Sequence, residues 1–288
     1  MNNKALEVIE LSKSYERFCL EKINFYLEKG AITGLVGKNG AGKTTILKSI
    51  MGILPFDNGE IKVNGISIID NEIQCKKVMG YVGDHIDYYH NSKLKDISKF
   101  ISKYYDSWDN KWYHELLVKF KVDDNKKMKE LSKGMVVKFS LAVALAHRPE
   151  ILILDEPTSG LDPVVRSELL DILKDSVTKY GTSILFSSHI TEDIVKIADN
   201  VIFIDEGEIK LIDEKDELLS RYIKVNSSLK NKNICGNLLF EGVDWSIYKL
   251  NNDVSKEDIL NQDNNYEDIG IDEILVIINK GSKEEVLC

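Results

Sequence analysis

The chain is 288 residues long, enough for one large domain or two ordinary ones. Its 43% apolar and 30% charged residues are those of a protein with a packed core and exclude disorder for the bulk of it. With 38 Lys and Arg against 47 Asp and Glu, the net charge of −9 argues against a basic nucleic-acid-binding or membrane-surface protein.

Cys19, Cys75, Cys235 and Cys288 form no CxxC pair, so neither a disulfide framework nor a zinc site is expected, and a reducing cytosol fits. The first seven residues hold no apolar signal-peptide core, and no apolar run approaches the ~18 residues that span a bilayer. A membrane process would need its membrane part from another chain.

Residues 8–11 and 23–27 alternate in part and read as short strands. A buried strand is predicted over 32–36, then a glycine-rich turn. A helix follows, with Ile46, Leu47, Ile50 and Met51 on one side and Gly52 as its stop. Residues 61–68 alternate around Asn64-Gly65, a hairpin signature, because both turn residues tolerate positive φ.

From Asp84 to Glu130 the character changes. Glycine disappears, while lysines and aromatics dominate: Tyr88, Tyr89, Phe100, Tyr104, Tyr105, Trp108, Trp112, Tyr113 and Phe120. The spacing of Phe100, Tyr104 and Trp108 predicts helix faces. This reads as a helical insert, about 84–150, with the aromatics as its core rather than a ligand cage. Strand-like runs return at 151–154, 183–186 and 201–204, separated by helical patterns. Strands alternating with helices predict an α/β fold with a largely parallel sheet, and residues 1–220 form one domain. Residues 221–288 are rich in Asn and Asp, carry 8 basic against 12 acidic side chains, and contain an apolar run at 274–278. They read as an accessory domain or a loosely attached extension of unassigned role. No solenoid-type repeat is visible.

The first chemical signal is Gly37-Lys38-Asn39-Gly40-Ala41-Gly42-Lys43-Thr44-Thr45, which matches G-x-x-x-x-G-K-[ST] between a strand and a helix. Glycines let successive backbone N–H groups curl toward phosphate oxygens, and the helix start adds its positive end. Lys43 is expected to contact the β- and γ-phosphates of ATP, and Thr44 to ligate Mg²⁺. A plain glycine-rich turn would not explain the Lys-Thr pair at the helix start. The second signal is a hydrophobic strand, 151–154, delivering Asp155 and Glu156 at its C-terminal end, where open α/β sheets bind ligands. Asp155 is expected to hold Mg²⁺, and Glu156 to orient and deprotonate an attacking water. A solvated Asp-Glu turn is the bland reading, weakened by the phosphate loop upstream.

Leu131-Ser132-Lys133-Gly134-Met135 resembles the LSGGQ signature of ATP-binding-cassette (ABC) ATPases. Ser159-Gly160-Leu161-Asp162 resembles that family's D-loop, and His189 after the strand resembles its switch histidine. Tyr15, 22 residues before Gly37, stands where the family places an aromatic that stacks on adenine. Five elements in order make the chain similar to this family over residues 1 to about 220, and the bacitracin-resistance export type is the nearest. The resemblance implies a P-loop NTPase fold with a mixed, largely parallel sheet, an antiparallel β subdomain, a helical insert and a small C-terminal extension.

It also implies a head-to-tail pair, homodimer or close paralogue, in which Ser132 and Gly134 of one copy close over ATP on the other copy's phosphate loop. That pair would drive a transmembrane permease subunit, docked through the insert, from the cytoplasmic side as a peripheral subunit at the inner face of the membrane. No nucleic-acid partner is expected. His189 would contact the γ-phosphate.

This sequence departs from the family in two places. The glutamine usual after the strand at 79–82 is missing, the only glutamines being Gln74 and Gln262, and Asp84 stands there as an alternative metal ligand. Lys133 and Met135 replace the signature's first glycine and its glutamine. His85, His90, His114 and His147 show no metal-ligand spacing. A soluble ABC ATPase of the iron–sulfur-assembly type is the alternative function. A non-hydrolytic nucleotide sensor is disfavoured by the intact Asp155-Glu156 pair.

Overall fold

A computed structural model describes residues 3–84, 88–226, 236–242, 244–251, 256 and 266–284. His85, Cys235, Gln262 and Cys288 lie outside them. The central sheet has six strands in the order β10-β9-β3-β8-β7-β6: β3 (Ile32–Val36), β6 (Met79–Val82), β7 (Ile151–Asp155), β8 (Ser183–Ser188), β9 (Asn200–Asp205) and β10 (Glu208–Glu214). All neighbours run parallel except β10, which pairs antiparallel with β9.

Every residue of β3, β7 and β8 is buried, because both faces of the sheet are covered. The period-two alternation divides them between two cores. Leu152, Leu154, Ile184, Phe186, Val201 and Phe203 face the helical side. Ile151, Ile153, Leu185, Ile202 and Ile204 face the other. That other side is built by an antiparallel sheet, β2-β1-β4-β5, and by helix α1 (Lys43–Ile50), whose Ile46, Leu47 and Ile50 are fully buried. Its strands are β1 (Lys4–Tyr15), β2 (Phe18–Glu28), β4 (Asn58–Val63) and β5 (Ile66–Ser67). The β4–β5 hairpin turns through Asn64 at φ 50° and Gly65 at φ 80°, as the Asn-Gly pair predicts. Strands β1 and β2 are longer than the two short runs expected, because irregular register lets polar positions stay in the ladder.

Helix α2 (Glu72–Lys77) leads into β6, and the helical insert follows: α3 (Leu94–Ile101), α4 (Asn110–Phe120) and α5 (Lys133–Ala146). Tyr113 and Phe120 are buried in its core, while Tyr88, Trp108 and Trp112 are half-buried against it. The expectation that the insert's aromatics are all core does not hold. Tyr89, Phe100 and Tyr104 are 83%, 57% and 62% exposed. Helix α3 buries Leu94, Ile97 and Ser98, which puts Phe100 on its outer face; Tyr104 sits in the 3₁₀ turn that follows, and Tyr89 precedes the helix. Helix α5 is buried almost all round, which places it between the insert and the sheet.

Helices α6 (Pro163–Tyr180), α7 (Thr191–Ile197) and α8 (Lys215–Arg221) complete the first 221 residues. A third, antiparallel sheet follows, β12-β13-β11-β14, from β11 (Tyr222–Asn226), β12 (Gly236–Glu241), β13 (Trp245–Leu250) and β14 (Tyr266–Asp268). Helix α9 (Ile271–Glu284) ends the described chain. Its Ile271, Ile274, Leu275 and Ile277 are buried in the same core as β7 and β8, so this helix is packed, not loosely attached. Among the described residues no helix is long and apolar enough to cross a membrane.

Candidate functional site

The site forms where β3, β7 and β8 end on the same edge of the parallel sheet, the edge at which such sheets receive ligands. Beyond β3 the chain curls through residues 37–42 into α1. A Cβ on Gly37 would lie 2.3 Å from the Ile204 carbonyl, so only glycine lets the loop start this close to β9. Gly42 caps α1 at φ 110°, a conformation closed to ordinary side chains, and delivers Lys43 at the helix start. Nothing in the loop offers α1 a side-chain cap, so its first N–H groups remain for an anion.

Lys43 is buried. Its Nζ donates to the Gly37 carbonyl at 2.6 Å and to the Lys38 carbonyl at 3.2 Å. Glu156 Oε1 lies 3.1 Å from the same ammonium, an ion-pair contact without hydrogen-bond geometry. The other carboxylate oxygen, Oε2, accepts from His189 Nδ1 at 2.7 Å and from the His189 N–H at 3.4 Å. Glu156 therefore stands between the phosphate-loop lysine and the histidine after β8. It does so in a strained backbone conformation, φ 50° for a non-glycine residue, held by its own N–H donating to Ser187 Oγ at 2.9 Å.

Asp155, one residue earlier, is fully buried at the end of β7. Its Oδ1 accepts from the Ser187 hydroxyl at 2.7 Å, while Oδ2 is buried with no close hydrogen-bond partner. Burial pushes the Asp155 carboxyl up, opposed by the Ser187 and Thr44 hydroxyls and reinforced by the charges of Asp84 and Glu156. Tyr81 reports the same field: burial, then Asp155 and Asp84, push its phenol up to about 12. An orphaned carboxylate oxygen with a threonine hydroxyl and a second aspartate nearby is a hard-oxygen donor set that fits a divalent cation. Among the described residues no three His, Cys, Asp or Glu side chains are assembled to hold a metal unaided, so further ligands would come from the substrate.

A hollow of about 230 Å³ above the loop is lined by Lys38, Asn39, Gly40, Gly42, Lys43, Thr44, Thr45, Asp84 and Glu156, and by Phe18. Eight of these ten were read from the sequence as nucleotide or metal residues, together with Glu156. Phe18 was missed. Tyr15 is 46% exposed, and its ring centroid lies 6.3 Å from that of Phe18. The two flank the β1–β2 turn, but of the pair only Phe18 lines the hollow. Sequence reading also missed Ser187, which clamps both Asp155 and Glu156. It missed the buried Asp193 as well, which accepts from Thr158 Oγ1 at 2.6 Å and pairs with Arg166 at 2.5 Å. That network ties the segment after Glu156 to α7, the helix after His189. Only the Ser187-Ser188 run at the strand end hinted at the first of these.

Ser132 and Gly134 lie elsewhere. Ser132 caps α5, its Oγ accepting from the Met135 N–H at 3.4 Å. They open on a second hollow, about 530 Å³, that shares no residue with the first. Within one copy the structure does not bring signature and phosphate loop together. His147 is buried, with Nε2 3.2 Å from the Met79 carbonyl and its ring stacked on Tyr105. It is a core histidine, as its lack of ligand spacing predicts.

A family model described as "ABC transporter" matches residues 20–159. The chain is 32% identical over 238 residues to the ABC transporter ATP-binding protein YtrB of Bacillus subtilis, covering 80% of this chain and 81% of that one. It is 33% identical over 222 residues to the linearmycin resistance ATP-binding protein LnrL of the same organism, covering 75% and 71%. Among solved structures, CbiO1 of Clostridium perfringens, part of the transporter complex CbiONQ, superposes with a TM-score of 0.64 at 26% identity, over 75% of this chain and 91% of that one. The chain belongs to the family of ABC transporter ATP-binding proteins: it is a nucleotide-binding ATPase, of the kind that energises transport through a membrane partner.

Proposed function

We propose that this chain is the ATPase subunit of an exporter, working at the cytoplasmic face of the membrane beside a transmembrane permease subunit. The observation that carries the reading is the juxtaposition of Lys43, Glu156 and His189 at one sheet edge. Residues 37–45 cradle the triphosphate, with Lys43 on the β- and γ-phosphates and Phe18 with Tyr15 offering ring faces to the base. Thr44, Asp155 and Asp84 would hold Mg²⁺, which would neutralise charge on the phosphate oxygens. Glu156 takes a proton from the attacking water, and His189 orients the Glu156 carboxylate and reaches the γ-phosphate.

The Lys43 ammonium is held by the Gly37 and Lys38 carbonyls and by Glu156. An arriving phosphate replaces these partners and frees the carboxylate for water. Because Ser132 and Gly134 line a different hollow from the phosphate loop, a complete site needs a second copy or a close paralogue, docked head to tail. Export is supported by the resistance-named relative, and the cassette of CbiONQ supports a separate membrane partner. Residues 1–220 would be the cassette, with an insert at about 84–150, and residues 221–288 an accessory region. Bacitracin-type resistance is the finer reading that the signature and D-loop favour.

Titration calorimetry with ATP and Mg²⁺ tests the site. Lys43→Ala is expected to abolish measurable binding while leaving the fold intact by circular dichroism. Undiminished affinity would place the triphosphate elsewhere.

A further inference from the structure

Strand β8 is apolar and fully buried through Ile184, Leu185 and Phe186, then ends in two serines, Ser187 and Ser188, that are buried just as deeply. Packing alone does not ask for hydroxyls there, because a buried hydroxyl without partners destabilises the strand that carries it. Sheet register explains where the first one goes. Ser187 lies opposite Asp155 in the parallel pairing of β7 and β8, so the two side chains leave the sheet on one face. A serine hydroxyl has one proton to donate and two lone pairs. The proton goes to Asp155 Oδ1 at 2.7 Å, and a lone pair accepts from the Glu156 N–H at 2.9 Å. Both capacities are spent on the acidic pair, one on a side chain and one on a backbone. Asp155 is thereby fixed with Oδ1 engaged, while Oδ2 has no close hydrogen-bond partner. Glu156 is held at φ 50° with its carboxylate between Lys43 and His189. The Ser187 bond also favours the charged form of Asp155 against its burial. Ser188 spends its hydroxyl locally, accepting from the Ile190 N–H at 2.9 Å and donating to the Ile190 carbonyl at 3.2 Å.

We propose that Ser187 is a positioning residue that ties the metal-binding aspartate to the water-activating glutamate, so that the two carboxylates keep their geometry as one unit. This inference rests on the roles given above to Asp155 and Glu156. A carboxylate aims one oxygen at a divalent cation most reliably when its other oxygen is held, and here the group that holds it also fixes the backbone of the base. Donors placed behind a metal ligand commonly govern metal affinity and turnover by about ten- to a hundredfold. An apolar residue at 187 would leave an N–H and a carboxylate oxygen unpaired in the interior.

Ser183, at the opposite end of β8, supplies the control. It too is buried, and its hydroxyl accepts from the Gly30 N–H at 3.0 Å. Melting of the full chain is followed against Mg²⁺ concentration at fixed ATP, and steady-state turnover gives kcat and KM separately. Ser187→Ala is expected to raise the Mg²⁺ concentration for half of the ligand-induced melting shift by about ten- to a hundredfold, and to lower kcat by a similar factor with the KM for ATP little changed. Ser187→Thr keeps the hydroxyl and should restore both. Ser187→Cys keeps the volume with a weaker donor and should fall between, which preserves the test if the alanine variant does not fold. Ser183→Ala should lower the melting temperature without ligand, yet leave the Mg²⁺ dependence and kcat at their natural values. An unchanged Mg²⁺ dependence in the Ser187 variants, or an equal change in Ser183→Ala, would reduce Ser187 to a structural hydroxyl and leave the roles of Asp155 and Glu156 standing. A natural chain whose melting with ATP does not respond to Mg²⁺ would overturn the metal reading, and this inference with it.

Discussion

Glu156 has three partners that no other residue combines: the Lys43 ammonium, the His189 ring and the Ser187 hydroxyl. If its role is to take the water proton, an amide of the same shape keeps the packing and removes the base. Glu156→Gln is expected to bind ATP normally and to lose turnover by about 10²-fold or more, the share that a positioned base commonly supplies. Phosphate-release kinetics at saturating ATP measure it, and a normal rate would move the base to another residue. His147 offers a second prediction at this scale. Burial pushes its imidazole down from 6.5 to about 4, against the hydrogen bond to the Met79 carbonyl. The unfolded chain takes up a proton near pH 6.5 that the folded one refuses until about pH 4. The stabilisation is therefore complete above pH 6.5 and is lost as pH falls toward 4. By pH 5 the loss should be on the order of 2 kcal/mol for this one group. Urea midpoints at pH 7 and pH 5 should diverge for the natural chain, and His147→Leu should narrow the gap.

Strand β7 shows what one element contributes. Its alternation sends Leu152 and Leu154 to one core and Ile151 and Ile153 to the other, and its last residue carries a carboxyl into the site. That placement has a cost: Asp155 is fully buried, and its raised pKa means that folding disfavours the charged form. A carboxyl raised on folding removes stability as pH climbs from its ordinary range through its folded value. Asp155→Asn can keep the bond from Ser187 while shedding the charge. It is expected to melt at a higher temperature than the natural chain without ligand, yet to gain no stability from Mg²⁺ with ATP. Scanning calorimetry with and without Mg²⁺ reads both arms, and a metal-dependent gain in the variant would remove Asp155 from the ligand set.

This strand, the phosphate loop and the hairpin at Asn64-Gly65 were legible because each is written in contiguous residues whose period or turn chemistry decides the outcome. Ser187, Asp193 and Phe18 were not, because their roles arise from strands and helices far apart in the chain. The insert's aromatics misled for a related reason: spacing predicts which residues share a helix face, but not which face packs inward, and Phe100 stands on the outer face of α3.

At the scale of the molecule, residues 221–288 do not behave as one separate body. The third sheet keeps a small core of its own around Ile223, Val225 and Leu250. Helix α9 does not. Its apolar face is buried in the core that also holds Leu154 and Phe186, and Asp272, Leu275 and Val276 line a cavity of about 520 Å³ with residues 36–39, His189 and Thr191. The helix thus borders both the start of the phosphate loop and the histidine after β8. A helix packed this way should share the cooperative unfolding of the cassette. Ile274 is fully buried on it and far in sequence from every nucleotide residue, so it reports on the coupling alone. Ile274→Ala is expected to cost about 2–5 kcal/mol, the range for truncating a buried isoleucine, and to move one single transition as a whole. Fluorescence and circular dichroism followed together through a urea titration provide the measurement. If only a minor early phase shifts while the main transition keeps its midpoint, α9 unfolds independently, and residues 221–288 are an appendage instead of a wall of the nucleotide-binding body.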